Sequence, residues 1–128
     1  MVGGTGSQTV VNAAPVTTSE TVVATCPPYE PPRDSEIVLV VAHVVIVAGT
    51  GATFLTMRIR RGATIADPQV VSTSTVAVVA ASGYNFPLIG VDIPPALGEA
   101  QWSLTVQQTG ASGNAAVQAA AILVFSML

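Results

Sequence analysis

Few side chains in this sequence are of the types that do chemistry. The chain holds a single histidine, His43, and a single cysteine, Cys26. His43 stands inside the apolar run Ile37–Ala48, and Cys26 precedes a run of prolines. A zinc site within one chain therefore has no ligand set. Copies of His43 meeting on a symmetry axis are the remaining way to bind a metal or respond to pH, and a hydrogen-bonded structural histidine is the simpler interpretation.

The carboxylates and the glycine-rich stretches give no stronger sign of catalysis. Asp67, Asp92 and Glu99 fall in separate predicted loops, so they form neither an acid–base pair nor a dense calcium loop. The glycine-rich segments Gly3–Ser7 and Ala48–Ala52 lack the Lys-Ser/Thr ending of a phosphate-binding loop and are explained by turns. We therefore predict a protein that is not an enzyme and that uses no cofactor or metal.

The positive charges are few and are all arginines. Three of them, Arg58, Arg60 and Arg61, form one cluster. This cluster predicts either a contact with an acidic partner surface or a solvated strand end that discourages edge-to-edge pairing. The net charge of −3 argues against sequence-independent nucleic-acid binding, which needs many phosphate-neutralising side chains.

The composition indicates one domain that associates with other chains. The chain has 128 residues, of which 50% are hydrophobic and only 9% are charged. A surface so poor in charge is poorly soluble as a monomer, so part of it is expected to be buried against other subunits. The run Ile37–Ala48 is shorter than the roughly 20 apolar residues that span a bilayer, and the first ten residues do not resemble a signal peptide. We expect no membrane contact and synthesis in a cytoplasm.

The composition changes near residue 35, which predicts an extended N-terminal arm over residues 1–35 and a β-domain over residues 36–128. Prolines crowd the stretch Cys26–Asp34, which favours a stiff polyproline-II-like strap. The pairs Val10–Val11 and Val22–Val23 favour an arm that docks on another surface, and a disordered tail is the alternative. We expect residues 36–128 to fold without the arm.

The β-domain shows strand patterns separated by turn-forming residues, which predicts an all-β, antiparallel, jelly-roll-like β-sandwich. Two predicted strands, Ala52–Arg61 and Gln101–Thr109, alternate cleanly, and Val70–Ala81 is a strand or a pair of strands. The apolar positions of the two alternating strands predict these core residues: Leu55, Met57, Ile59, Trp102, Leu104 and Val106.

The first and last predicted strands of this domain, Glu36–Val47 and Ala115–Leu128, are apolar on both faces. We expect them to pair in one sheet whose first face forms the sandwich core. The second face then needs cover, either from copies of itself in a closed homo-oligomer or from the arm folded back over it. The predicted subunit interface consists of Leu39, Val41, His43, Val45, Ile122 and Val124.

The segments "FLTMRIRRGATI" (Phe54–Ile65), "GVDIPP" (Gly90–Pro95) and "QWSLTVQQTGASGNAAVQAAAI" (Gln101–Ile122) resemble small jelly-roll proteins of tailed bacteriophages. Several of these are trimers similar to the tumour-necrosis-factor and complement-type jelly rolls, and some are capsid decoration proteins or head and tail appendages. The resemblance covers residues 36–128. It implies a homotrimer in which the sheet holding the first and last strands lines the threefold axis.

The resemblance implies a decoration (cement) protein that stabilises a phage head from the capsid exterior and that is made in the bacterial host cytoplasm. The expected partner is the phage major capsid protein, across whose subunits three arms would lie as a clamp. A trimeric tail or fibre head and a single-jelly-roll shell protein are the alternatives. The residues expected to contact the capsid are Val22, Val23, Tyr29, Arg33, Arg58, Arg60 and Arg61.

Overall fold

The structure is a computed structural model that describes residues 3–31, 37–49, 53–73, 76–78, 83–93, 98–109 and 114–127. These residues form strands and no helix. The strands are β1 (Gly3–Pro15), β2 (Thr21–Thr25), β3 (Ile37–Ala48), β4 (Thr53–Arg61), β5 (Gln69–Ser72), β6 (Val76–Val78), β7 (Gly83–Asp92), β8 (Trp102–Thr109) and β9 (Ala115–Met127).

The strands form two antiparallel sheets. Sheet A has the order β1-β9-β3-β7, and sheet B has the order β2-β8-β4-β5, with β6 also paired to β4. Strands β5 and β6 are two pieces of one edge strand, as one of the sequence interpretations has it, because both pair with β4. At the break the Thr73 amide donates to the carbonyl of Met57 at 2.9 Å, and the Thr73 hydroxyl accepts from the Met57 amide at 3.1 Å.

The pairing is nested, which defines a jelly roll. Strand β1 pairs with β9, β2 with β8, β3 with β7, and β4 with the β5–β6 edge. Each strand of the first half thus meets a strand of the second half in reverse order, as when one long hairpin is wound into two facing sheets. The predicted antiparallel β-sandwich is confirmed.

The core lies between the inner faces of the two sheets. Trp102 is fully buried at its centre, and the predicted inward positions of β4 and β8 are all buried. Sheet A contributes the even positions of β3, among which Val38, Val40 and Ile46 have no exposed surface. The clean alternation of β4 and β8 follows from their place in a sheet with one apolar and one polar face.

In place of the predicted arm, the N-terminal segment supplies the first two strands of the jelly roll. Ala24 and Cys26 lie in the core with 4% and 1% of their surface exposed, and burial raises the pKa of the Cys26 thiol. The Cys26 amide donates to the carbonyl of Trp102 at 3.0 Å. The physical reason is topological, since an eight-stranded jelly roll needs two strands that residues 36–128 do not contain. The predicted polyproline strap, Cys26–Asp34, lies partly outside the described residues, because residues 32–36 are not among them.

A buried carboxylate ties the two sheets together at one end. Asp92, the last residue of β7 in sheet A, is 6% exposed and points inward rather than into a loop as predicted. It accepts from the Arg61 guanidinium, with one bond of 2.7 Å, and from the Trp102 indole at 2.7 Å, and both donors belong to sheet B. Burial alone would raise the pKa of Asp92, but the bonds from Arg61 and Trp102 outweigh it, so the pKa is lowered.

Deleting residues 1–31 should abolish folding of the domain. The deletion removes β1 and β2, which bares the backbone edges of β9 and β8 and opens the core around Trp102. We expect the truncated chain to show no cooperative unfolding transition in urea, whereas the full chain shows one. A truncated chain with a sigmoidal transition of similar midpoint would contradict the assignment of β1 and β2 to the fold.

Replacing Asp92→Asn should destabilise the fold at neutral pH by about 2–4 kcal/mol, because the amide places a donor against Arg61 and removes the charge that the guanidinium pairs. A lowered carboxylate pKa contributes stability above the unfolded value of about 4 and loses it as the pH falls through the folded value. The loss should therefore shrink in acid, as measured by urea unfolding at several pH values. The control Glu99→Gln, at an exposed position, should change stability by less than about 0.5 kcal/mol.

Candidate assembly interface

The outer face of sheet A carries a largely apolar lattice. Directly opposite residues of antiparallel strands point to the same face. Val41 on β3 lies opposite Leu123 on β9 and Ile89 on β7. One step along the strand, Leu39 lies opposite Phe125 and Val91. Three strands therefore present matched rows of Val, Leu, Ile and Phe away from the core.

This face is open to solvent in the single chain. Ile89, Val91 and Leu123 are 64%, 60% and 43% exposed. The described part of the N-terminal segment contributes β1 and β2 to the two sheets and leaves these side chains uncovered. Among the described side chains of this face, His43 is exposed and is the single titratable group. It lies opposite Pro87 and Ala121, which are apolar.

Four of the six predicted interface residues lie on this outer face: Leu39, Val41, His43 and Val45. The prediction is wrong for Ile122 and Val124, which are fully buried in the sandwich core. Strand β9 pairs with β3 in a register that places its odd residues Leu123 and Phe125 on the outer face instead. Both the odd-numbered and the even-numbered residues of β9 are apolar, so the sequence could not indicate which face of the strand is buried.

A bulge in β9 adds to this ambiguity. The register between β3 and β9 shifts between Val45 and Ile46, where Gln118 has no opposite partner. Before the shift Val117 is buried, and after it the even positions from Ala120 onward are buried. An extra residue in one strand exchanges the two faces, so no single parity holds along β9.

Strand β1 forms the opposite edge of the outer face and is lined there by glycine. Gly4 lies opposite Phe125, and Gly6 lies opposite Leu123. A Cβ added to Gly4 would come within 2.9 Å of Phe125 Cδ1, and one added to Gly6 would overlap Leu123 Cδ2. The two large side chains of β9 therefore lean over the bare backbone of β1, and a side chain added there would meet them.

The outer face of sheet B is polar by contrast. Glu20 accepts from the Arg60 guanidinium in two bonds of 2.8 Å and from the Thr105 hydroxyl at 2.5 Å. The Arg58 guanidinium lies 3.6 Å away. The hydrogen bond from Arg60 is the main reason that the pKa of Glu20 is lowered. The same pair raises the pKa of Arg60. Glu20 and Arg60 thus form a bidentate ion pair, which fixes the connection between β1 and β2 over sheet B.

The residues predicted to contact a capsid are mostly engaged within the chain. Arg58 and Arg60 face Glu20, and Arg61 binds Asp92. The Tyr29 hydroxyl lies 2.5 Å from the Ser126 hydroxyl. Val22 and Val23 are half-buried in β2, and Arg33 lies outside the described residues. The three clustered arginines therefore do not form an open basic patch, and Glu20 is the partner that sequence reasoning missed.

The metal-ligating side chains among the described residues are dispersed. No three His, Cys, Asp or Glu side chains among them lie close enough to hold a metal ion. A cavity of about 250 Å³ opens near the β1–β9 edge and is lined by small apolar and amide side chains, namely Pro15, Val47, Gly49, Asn114, Ala115, Ala116 and Gln118. Within the part of the chain that the structure describes, no helix has the length and apolarity needed to cross a membrane.

The sequence matches no protein-family model and no curated protein. The fold, however, is similar to solved capsid structures. A chain in the structure of infectious bursal disease virus Gx strain matches with a TM-score of 0.64 at 6% identity, over 96% of this chain and 32% of that chain. The VP2 subviral particle of the same virus matches with a TM-score of 0.63 at 6% identity, over 96% of this chain and 33% of that chain.

The likeness is one of fold. This chain spans about a third of the length of the capsid chains that it matches, and the identity is too low to indicate more than a shared architecture. The matched proteins are capsid chains of infectious bursal disease virus, whereas the sequence resemblance is to trimeric jelly rolls of tailed bacteriophages. The structural matches therefore support the jelly-roll fold and do not extend to the trimeric phage proteins that the sequence resemblance implies.

Proposed function

We propose that this protein is a structural subunit of a virus particle that assembles through the outer face of sheet A. The observation that carries the proposal is the apolar lattice around Val41, Leu123 and Ile89, which is exposed in the single chain. Soluble monomers rarely expose apolar patches of this extent, and contiguous ones mark interaction sites. The similarity in fold to capsid chains supports a structural role.

The size of the face fits subunit association. Four strands about 4.8 Å apart and roughly ten residues long, at about 3.3 Å per residue, present a face of roughly 600 Å². Specific interfaces bury about 800 Å² of accessible surface per partner, which is of the same order as the area of this face. The cover that we propose is further copies of this chain, arranged as a homotrimer with sheet A toward the threefold axis.

On the particle, the proposed role is decoration of the capsid exterior by a trimer that contacts the major capsid protein and stabilises the shell. Because β1 and β2 belong to the fold, the contacts come from the exposed surface of the trimer rather than from a detached arm. Three equivalent contacts on one rigid trimer gain from effective concentration, so weak single contacts hold the trimer in place.

A second candidate is a single-jelly-roll shell protein, which builds the capsid itself. The similarity in fold to chains of a viral capsid, over 96% of this chain, favours it. Both candidates use the same apolar face for self-association, and they differ in what the assembled protein does next.

Electron microscopy of the purified full-length protein separates the two roles. A decoration protein remains a discrete trimer and binds to capsids prepared without it, where it raises the temperature at which they open. A shell protein forms closed particles by itself. Monomers that bind no capsid and form no particle would contradict both candidates.

Replacing Val41→Asp should abolish self-association and leave the chain folded, because the new carboxylate lies on the outer face and stays hydrated in the monomer. Replacing Val124→Asp should instead unfold the chain, because it buries an unpaired charge in the core. Sedimentation velocity and urea unfolding distinguish the two effects. The control Ala77→Asp, at an exposed position of β6 in sheet B, should retain the wild-type assembly.

A further inference from the structure

The two edges of the outer face of sheet A differ in height. Ile93, directly after β7, is 63% exposed. Ile89 and Val91 of β7 are 64% and 60% exposed and lie on the outer face, opposite Val41 and Leu39. They form a ridge of β-branched side chains along this edge. On such residues χ1 is restricted, so the ridge is stiff as well as apolar.

The opposite edge carries no side chain at the start of β1. Gly4 and Gly6 lie there on the outer face, opposite Phe125 and Leu123, whose side chains lean toward them. The surface here consists of exposed glycine backbone with the side chains of Phe125 and Leu123 leaning over it. The four residues Gly4, Gly6, Leu123 and Phe125 are called the glycine floor below.

We propose that the β7 ridge of one copy packs onto the glycine floor of the next copy. The inference rests on the proposed self-assembly and adds which parts of the face meet. The chain carries both halves of the contact, and both are apolar, so a second copy is the partner that fits without any unpaired charge.

Packing density favours this arrangement over the alternative in which ridge meets ridge. Two ridges in contact would hold the remaining rows of the two faces apart and leave voids over β9 and β3. A ridge on a floor lets the edges of two neighbouring copies meet without a void between them, and interfaces at native density are the ones that hold. The contact joins different surfaces of the two copies, and repeated around a threefold axis it closes a ring.

Cross-linking of cysteine variants tests the contact. Two single variants, Ile89→Cys and Leu123→Cys, are prepared in the full chain and treated with a short bifunctional thiol reagent, alone and mixed in equal amounts. The native Cys26 is 1% exposed, so wild-type protein is the background control. We expect covalent dimers in the mixture and not in either single variant, and covalent trimers in the double variant.

The outcomes separate this inference from the proposed function. If Ile89→Cys alone cross-links as well as the mixture does, the ridges meet each other and the inference is wrong, although self-assembly stands. If wild-type protein sediments as a monomer at all concentrations, the proposed assembly fails, and the ridge-on-floor contact fails with it.

A change in the floor gives a second, independent readout. In Gly6→Val the new side chain meets the end of the flexible Leu123 side chain, which can rotate, so the variant is expected to fold. It raises the floor, and overpacking of this kind should weaken association by about tenfold. The control Ala77→Val, which also adds apolar volume but at an exposed position of β6 in sheet B, should associate as the wild type does. Unchanged association of a folded Gly6→Val would overturn the inference.

Discussion

The pairing of β3 with β9 at the centre of sheet A is the constraint on which the rest of the structure depends. Both strands are apolar on both faces, and a two-layer sandwich buries only one face of each sheet. The even residues of β3, from Val38 to Ile46, meet the core made with sheet B. The odd residues of β3 and of the second half of β9 remain as an apolar surface that the single chain does not cover. The assembly that we propose therefore follows from the strand composition and is not an addition to a finished monomer.

The outer faces of the two sheets differ in polarity. The outer face of sheet B is polar, and its charges are paired within the chain, as Glu20 is with Arg60. Such a face is compatible with water and needs no partner. The outer face of sheet A has no charged side chain among its described residues apart from the titratable His43. The two outer faces thus differ in polarity, and the scarcity of charge in the composition reflects the apolar face, which we propose contacts other copies.

The sequence indicated the parts of the fold in which local pattern and burial agree. Strands β4 and β8 alternate because one face is polar, so Leu55 and Trp102 could be placed inward from the sequence. The pattern was uninformative in β9, because its odd and even residues are both apolar and a bulge switches which of them are buried. Ile122 and Val124 were therefore placed on the wrong face. The N-terminal segment was misjudged because it holds few large apolar residues. Its strands are stabilised by pairing with β9 and β8 and by small buried residues such as Ala24, which leave little trace in a hydrophobicity pattern.

The nested topology links the ends of the chain to the proposed interface. Strand β1, near the N-terminus, and strand β9, near the C-terminus, pair with each other and together form the glycine floor. These contacts join residues far apart in sequence, so loop closure makes them slow to form. The floor is therefore complete only when the whole jelly roll has wound. The ridge on β7 depends on β3 alone within sheet A and forms over a shorter loop. Recognition between copies thus requires a finished fold on one side of each contact. This order disfavours association of partly folded chains, whose exposed apolar strands would otherwise aggregate.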